Sequence, residues 1–88
     1  MSAIRQASAA ITARQLEVLT NLAQREQWSV GEVASALGVS SAAATKAIAR
    51  LERKGLVSRT VNMMDRRSVN VRVTRAGNDA IRQGARYA

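Results

Sequence analysis

Residues 40–73 read SSAAATKAIARLERKGLVSRTVNMMDRRSVNVRV, and the period of the pattern changes within them. From Ser40 to about Lys54 the spacing is helical. At about 100° per residue, Ala44, Ala47, Ile48 and Leu51 fall on one side, and Ala42, Thr45, Lys46, Ala49, Arg50 and Arg53 on the other. Gly55 ends that helix. Leu56 and Val57 then open a strand on which Val57, Val61 and Met63 share one parity. On the return, Val69, Val71 and Val73 alternate with Ser68, Asn70, Arg72 and Thr74, the period of a half-buried strand. Between the strands lies a tip, Met64 to Arg67, that carries Asp65, Arg66 and Arg67. A basic helix running straight into a hairpin with arginines at its tip predicts a winged helix.

The preceding residues supply the rest of that motif. Ser29 and Glu32 have capping-box spacing, in which each side chain satisfies a backbone N–H freed at the helix start. They open a short helix, Val30 to Leu37, with Val33, Ala34 and Leu37 facing inward. Gly38 stops it, and Ser40 or Ser41 caps the next helix. A short helix, a glycine turn and a second helix make a helix-turn-helix. Further upstream, Thr12 and Gln15 repeat the capping box. Leu16, Leu19, Leu22 and Ala23 form the expected buried stripe, with Val18 beside it and an end near Glu26 or Gln27. Trp28 falls in the link that follows. It is expected to pack as a core or hinge residue with a single strand pair to the later hairpin, since one aromatic alone makes no platform for stacking bases. Thr74 caps a last helix from about Arg75, sparsely apolar at Ala76, Ala80, Ile81 and Tyr87 and weakened by Gly77 and Gly84. Met1 to Ala10 is weakly helical. The expected fold class is mainly α with a small β-hairpin wing. One domain is expected over residues 1–88, with 1–11 and 75–88 as candidate dimerisation ends.

Composition narrows the function. The chain has 88 residues, 14 basic and 6 acidic, so its net charge is 14 − 6 = +8. Residues 1–45 hold three Arg and three Glu, which cancel. The whole excess lies in residues 46–88, with eleven basic and three acidic side chains, and such asymmetry points to a polyanionic partner. The absence of Cys and His removes disulfides, thiol switches and the usual zinc ligands, so neither metal nor cofactor is expected. With no nucleophile–base constellation either, no enzyme and no catalytic residue is expected. No apolar run approaches the roughly 18 residues of a membrane span, and the first eleven residues do not read as a signal peptide. The default compartment is the cytoplasm.

The outer helix face alternates very small residues with long cations. Small Ala42 and Ala49 let a helix backbone settle into the major groove. Thr45 can bond a base edge, and Lys46, Arg50 and Arg53 can reach guanine or phosphate. Ser40 and Ser41, at the helix start, are candidate DNA-binding residues with them, as is the wing. At the wing, Arg66 and Arg67 suit phosphates or a narrow minor groove. Asp65 either braces one of those arginines or simply forms the turn. The bland reading of the same residues is a solvated basic face on an Ala-rich helix. The leading function is a sequence-specific, double-stranded-DNA-binding transcription regulator. The alternative is a winged-helix interaction or assembly module whose basic face meets an acidic protein. Steep salt dependence together with sequence preference separates the two.

Several short motifs occur in a fixed order: Ile11-Thr12 with Gln15, Val18 and Leu19; Ser29-Val30-Gly31-Glu32-Val33-Ala34; Leu37-Gly38-Val39-Ser40; Leu51-Glu52-Arg53-Lys54-Gly55-Leu56-Val57; Asp65-Arg66-Arg67-Ser68; and Val73-Thr74-Arg75-Ala76-Gly77. As an ordered set they resemble the DNA-binding domain of the MarR family of bacterial and archaeal transcription regulators. The resemblance implies a winged helix-turn-helix with Ser40 to Lys54 as recognition helix and Asp65-Arg66-Arg67 as wing tip. It also implies a homodimer on a pseudo-palindrome and, usually, repression. Asn62 stands where the family wing tends to have Asp. Family members carry longer helices at both ends, which build the dimer and a ligand pocket. With about eleven residues before the domain and about eleven after Gly77, the expectation here is a weak or concentration-dependent dimer and no small-molecule effector.

Overall fold

Each helix begins where a side chain can satisfy its free N–H groups. In the computed structural model, which describes residues 11–61, 64 and 69–87 with side chains as far as Gly84, the elements are α1 (Ala13–Leu22), β1 (Trp28–Ser29), α2 (Val30–Leu37), α3 (Ser41–Arg53), β2 (Val57–Val61), β3 (Val69–Val73) and α4 (Arg75–Tyr87). Thr12 and Gln15 close a reciprocal capping box on α1, and Ser29 and Glu32 close one on α2. Ser40 caps α3, its Oγ accepting from the Ala43 N–H at 3.1 Å. Gly38 (φ 67°) and Gly55 (φ 75°) end α2 and α3 in the left-handed conformation that favours glycine. Past them, the N–H of Val39 returns to the Ala34 carbonyl and that of Leu56 to the Leu51 carbonyl, each at 3.0 Å.

The three strands form an antiparallel sheet in the order β1-β3-β2. β1 pairs Trp28 with Val71 and Ser29 with Asn70, which is the strand pair expected of Trp28. Its indole Nε1 donates to the Leu22 carbonyl at 2.8 Å, and the ring is buried. The core gathers Leu19 and Leu22 of α1, Val33 of α2, Ile48 and Leu51 of α3, and Val71 of β3, with Trp28 closing one side. Burying such a side chain stabilises by about 1.5–3 kcal/mol each before entropy is counted.

The structure corrects several details. α1 ends at Leu22 rather than near Glu26 or Gln27. The Leu22 carbonyl, which a longer helix would give to residue 26, instead accepts from the Trp28 indole and the Arg25 N–H. The buried stripe of α1 is Val18, Leu19 and Leu22; Leu16 is half-buried and Ala23 exposed. Ala76 is exposed on α4. Gly77 and Gly84 do more than weaken that helix. A Cβ at Gly77 would overlap the Leu56 carbonyl oxygen, and one at Gly84 would overlap the Leu16 side chain, so both are places where α4 approaches its neighbours closely. Thr74 secures the first of these contacts: its hydroxyl donates to the Gly55 carbonyl at 2.7 Å and accepts from the Gly77 N–H at 3.1 Å. Readings made for Met1–Ala10, Met63, Asp65–Ser68 and the Tyr87 side chain lie outside the described residues.

Candidate nucleic-acid interface

The site is built on α3. Ala44, Ile48 and Leu51 are buried, which fixes the helix's rotation about its axis. Ala42, Lys46 and Arg53 then lie on the outermost line, and all three are exposed. Thr45 is exposed and Ala49 half-buried on one flank of that line. Arg50 is exposed on the other flank, bordering a groove of about 330 Å³ that Ala43 and Ala47 share with Val18 of α1 and Leu37 of α2. Ser40 and Ser41 are exposed at the helix start. The Ser40 oxygen is engaged as a cap, and its O–H remains a donor. The eight residues singled out from Ser40 to Arg53 thus share one end and one face of a single helix. Asp65, Arg66 and Arg67 lie outside the described residues, although β2 and β3 pair from Val57↔Val73 out to Val61↔Val69 and define the hairpin's base.

Charge is sorted across the fold. Each described carboxylate has an arginine partner: Glu17 with Arg14, Glu26 with Arg72 (3.5 Å), Glu32 with Arg25 (3.2 Å), Glu52 with Arg59 (2.8 Å) and Asp79 with Arg82. Among the described residues, Lys46, Arg50 and Arg53 enter no ion pair. Glu52, the one carboxylate of α3, is drawn to the hairpin by Arg59 and leaves the outer face wholly cationic. Arg50 and Arg53 sit in the last turn, where the helix dipole favours positive charge. The Lys54 ammonium reaches back to Gln15 Oε1 at 2.6 Å and ties the end of α3 to the start of α1.

Sequence reasoning missed Arg59 and Arg25. Arg59 breaks the apolar parity of Val57 and Val61, and that irregularity was the available signal. Arg25 lies over the Trp28 ring at 4.4 Å while pairing with Glu32. The Glu32 carboxylate also accepts from the Ser29 N–H at 2.8 Å. That bond first, then the Ser29 hydroxyl and the Arg25 charge, hold its pKa below the ordinary glutamate value despite some desolvation. Among the described residues there is no group of three or more acidic side chains that could hold a metal, and no helix long and apolar enough to cross a membrane.

The MarR family model matches residues 11–69, about two thirds of the chain. The chain belongs to the MarR family. It is 37% identical over 68 residues to the HTH-type transcriptional repressor MdtR of Bacillus subtilis (strain 168), covering 77% of this chain and 44% of that protein. The fold superposes on a mutant of MarR from E. coli complexed with operator DNA, with a TM-score of 0.79 at 33% identity, covering 85% of this chain and 54% of that one. The YusO protein from Bacillus subtilis matches at a TM-score of 0.76 and 31% identity, over 92% of this chain and 56% of that one. The chain therefore spans about half the length of these relatives, and the shared half is the winged helix-turn-helix.

Proposed function

We propose that this MarR-family chain is a sequence-specific, double-stranded-DNA-binding transcription regulator that acts as a repressor in the cytoplasm. α3 lies in the major groove, with Ser40 and Ser41 at the backbone, Ala42 and Ala49 allowing close approach, and Thr45, Lys46, Arg50 and Arg53 on bases or phosphates. The hairpin reaches the adjacent backbone or minor groove through Arg66 and Arg67, with Asp65 beside them. These contacts call for no metal, cofactor or catalytic group, nor for a small-molecule effector. The observation that carries the reading is the sorting of charge. Every described carboxylate is paired, and the exposed face of the one helix presented for a groove keeps three unpaired cations. The repressor MdtR and the operator-bound MarR mutant support it by likeness.

Selection from a random duplex library, followed by titration of the recovered site against scrambled duplex across salt, tests the proposal. A recovered consensus, a steep fall of affinity with salt and tighter binding of the selected site are expected. Recovery of no consensus, with equal affinity for all duplexes, would sink the regulator reading and favour an assembly module.

A further inference from the structure

Val57, Arg59 and Val61 share one face of β2, and their cross-strand partners Val73, Val71 and Val69 share it with them. At its base that face is core: Val57 and Val71 are buried. Burial fades outward, and Val61 is 50% exposed. Arg59 stands between the two, where an apolar residue would be expected, and its Nε donates to Glu52 Oε1 on α3 at 2.8 Å. The opposite edge of the hairpin is held by β1, which pairs only with Val71 and Asn70. Arg59 lies directly across from Val71, so both ties grip the hairpin at one rung, β1 from one edge and Glu52 from the other. Outward of that rung on β2, Thr60 and Val61 are exposed.

We propose that Glu52 and Arg59 form a positioning pair that sets the pitch of the hairpin arm against α3, and so decides how well helix and wing can engage one duplex together. The inference rests on the DNA-binding reading above, and neither residue has to touch DNA. Charge alone predicts something different. Glu52 is the only carboxylate on α3, so its removal should tighten binding to any duplex, and removal of Arg59 should loosen it. A positioning pair has another signature: both single variants lose discrimination in the same direction, although they change net charge in opposite directions.

The test uses Glu52→Gln, Arg59→Gln and the double variant. Two quantities are read: the ratio of affinities for selected and random duplex at fixed salt, and the orientation of the β2–β3 amides relative to α3 from residual dipolar couplings of the free protein. Each single variant is expected to lower the ratio about three- to fivefold, the scale open to a half-exposed ion pair. The double variant should be no worse than either single, because both remove the same contact. The couplings of the hairpin should depart from the wild-type orientation while those of α1 to α3 stay. Ratios that move in opposite directions with the charge, or hairpin couplings unchanged in both singles, would overturn the proposal. A wild-type chain that binds no duplex would refute the DNA-binding reading instead, and the couplings would still decide whether the pair sets the arm.

Discussion

A single side chain decides its role by what it is released from as much as by what it touches. Lys46 and Arg50 are exposed, carry no ion pair among the described residues, and lie away from the buried Ala44, Ile48 and Leu51. Lys46→Ala and Arg50→Ala should therefore weaken duplex binding with the melting temperature nearly unchanged. Each should cost on the order of 1–3 kcal/mol if it reads a base, or lower the salt slope by about one if it holds a phosphate. Unaltered titration curves for both would remove α3 from the groove. These cations were legible in the sequence because helical spacing alone puts them opposite the apolar stripe. The roles of Gly77 and Gly84 were not, because they depend on partners 21 and 68 residues away in the chain, Leu56 and Leu16 (77 − 56 and 84 − 16). The two glycines should respond differently to alanine. Either substitution gains up to about 1 kcal/mol of helix propensity. At Gly77 the new methyl meets the Leu56 backbone carbonyl, which is held by the Thr74 N–H at 3.0 Å and cannot yield cheaply, so a net loss of about 1–3 kcal/mol is expected. At Gly84 its nearest neighbours are Cδ2, Cδ1 and Cγ of the half-buried Leu16 side chain, which can change rotamer, so the net change should be smaller than at Gly77. Thermal melts that rank Gly84→Ala below Gly77→Ala would contradict this packing.

Whole elements were readable where their ends are set by local chemistry. Thr12, Ser29, Ser40 and Thr74 mark four helix starts, because a cap needs only its own hydroxyl and the N–H three residues on. Gly38 and Gly55 mark two ends for an equally local reason. The end of α1 was misplaced because a distant group, the Trp28 indole, takes the Leu22 carbonyl. The tie from Arg59 to Glu52 is not legible in the sequence for the same reason, since it joins two elements whose relative placement no periodicity reports. The start of α2 offers a test at this scale. Ser29→Ala removes the hydroxyl that accepts from the Glu32 N–H at 3.1 Å and should destabilise the fold by about 1 kcal/mol. Glu32→Gln keeps an acceptor for the Ser29 N–H but loses the charge beside Arg25 and the helix N-terminus. Because folding lowers the Glu32 pKa, its charge stabilises at pH values above the unfolded-state pKa of about 4.3, and that contribution disappears as pH falls through the lower folded value. The wild type should thus melt above Glu32→Gln at neutral pH, and the gap should close as pH falls through the lowered folded-state value. A gap that persists or widens on acidification would mean that the carboxylate is not what holds this helix start.

Across the whole molecule, the limiting quantity is how much duplex one copy can reach. α3 has 13 residues and a length of about 20 Å, and only its outer line can face base edges. In the proposed reading, one copy brings Lys46, Arg50 and Arg53 of α3, with the arginines of the wing, to one half-site. Single modules of this kind bury about 600–1,000 Å² on DNA, at or below the low end of the usual specific interface. A two-fold pair on a pseudo-palindrome doubles both the base contacts and the counterions released, with recognition helices about one helical turn, roughly 34 Å, apart. The N-terminal residues and α4 are the surface proposed for that pair. The apolar side of α4 gives Ala80 and Ile81 partly to the core, leaving a modest contact that is expected to dissociate when free and to form on DNA. Sedimentation of the chain against a full selected site should therefore show two copies per duplex at saturation. Against a half-site duplex it should show one copy, and the slope of log affinity against log salt should be about half as steep. A full site that saturates at one copy, with the same slope as the half-site, would mean that this chain reads DNA alone, and the two-fold arrangement would have to be abandoned while the groove contacts of α3 stood.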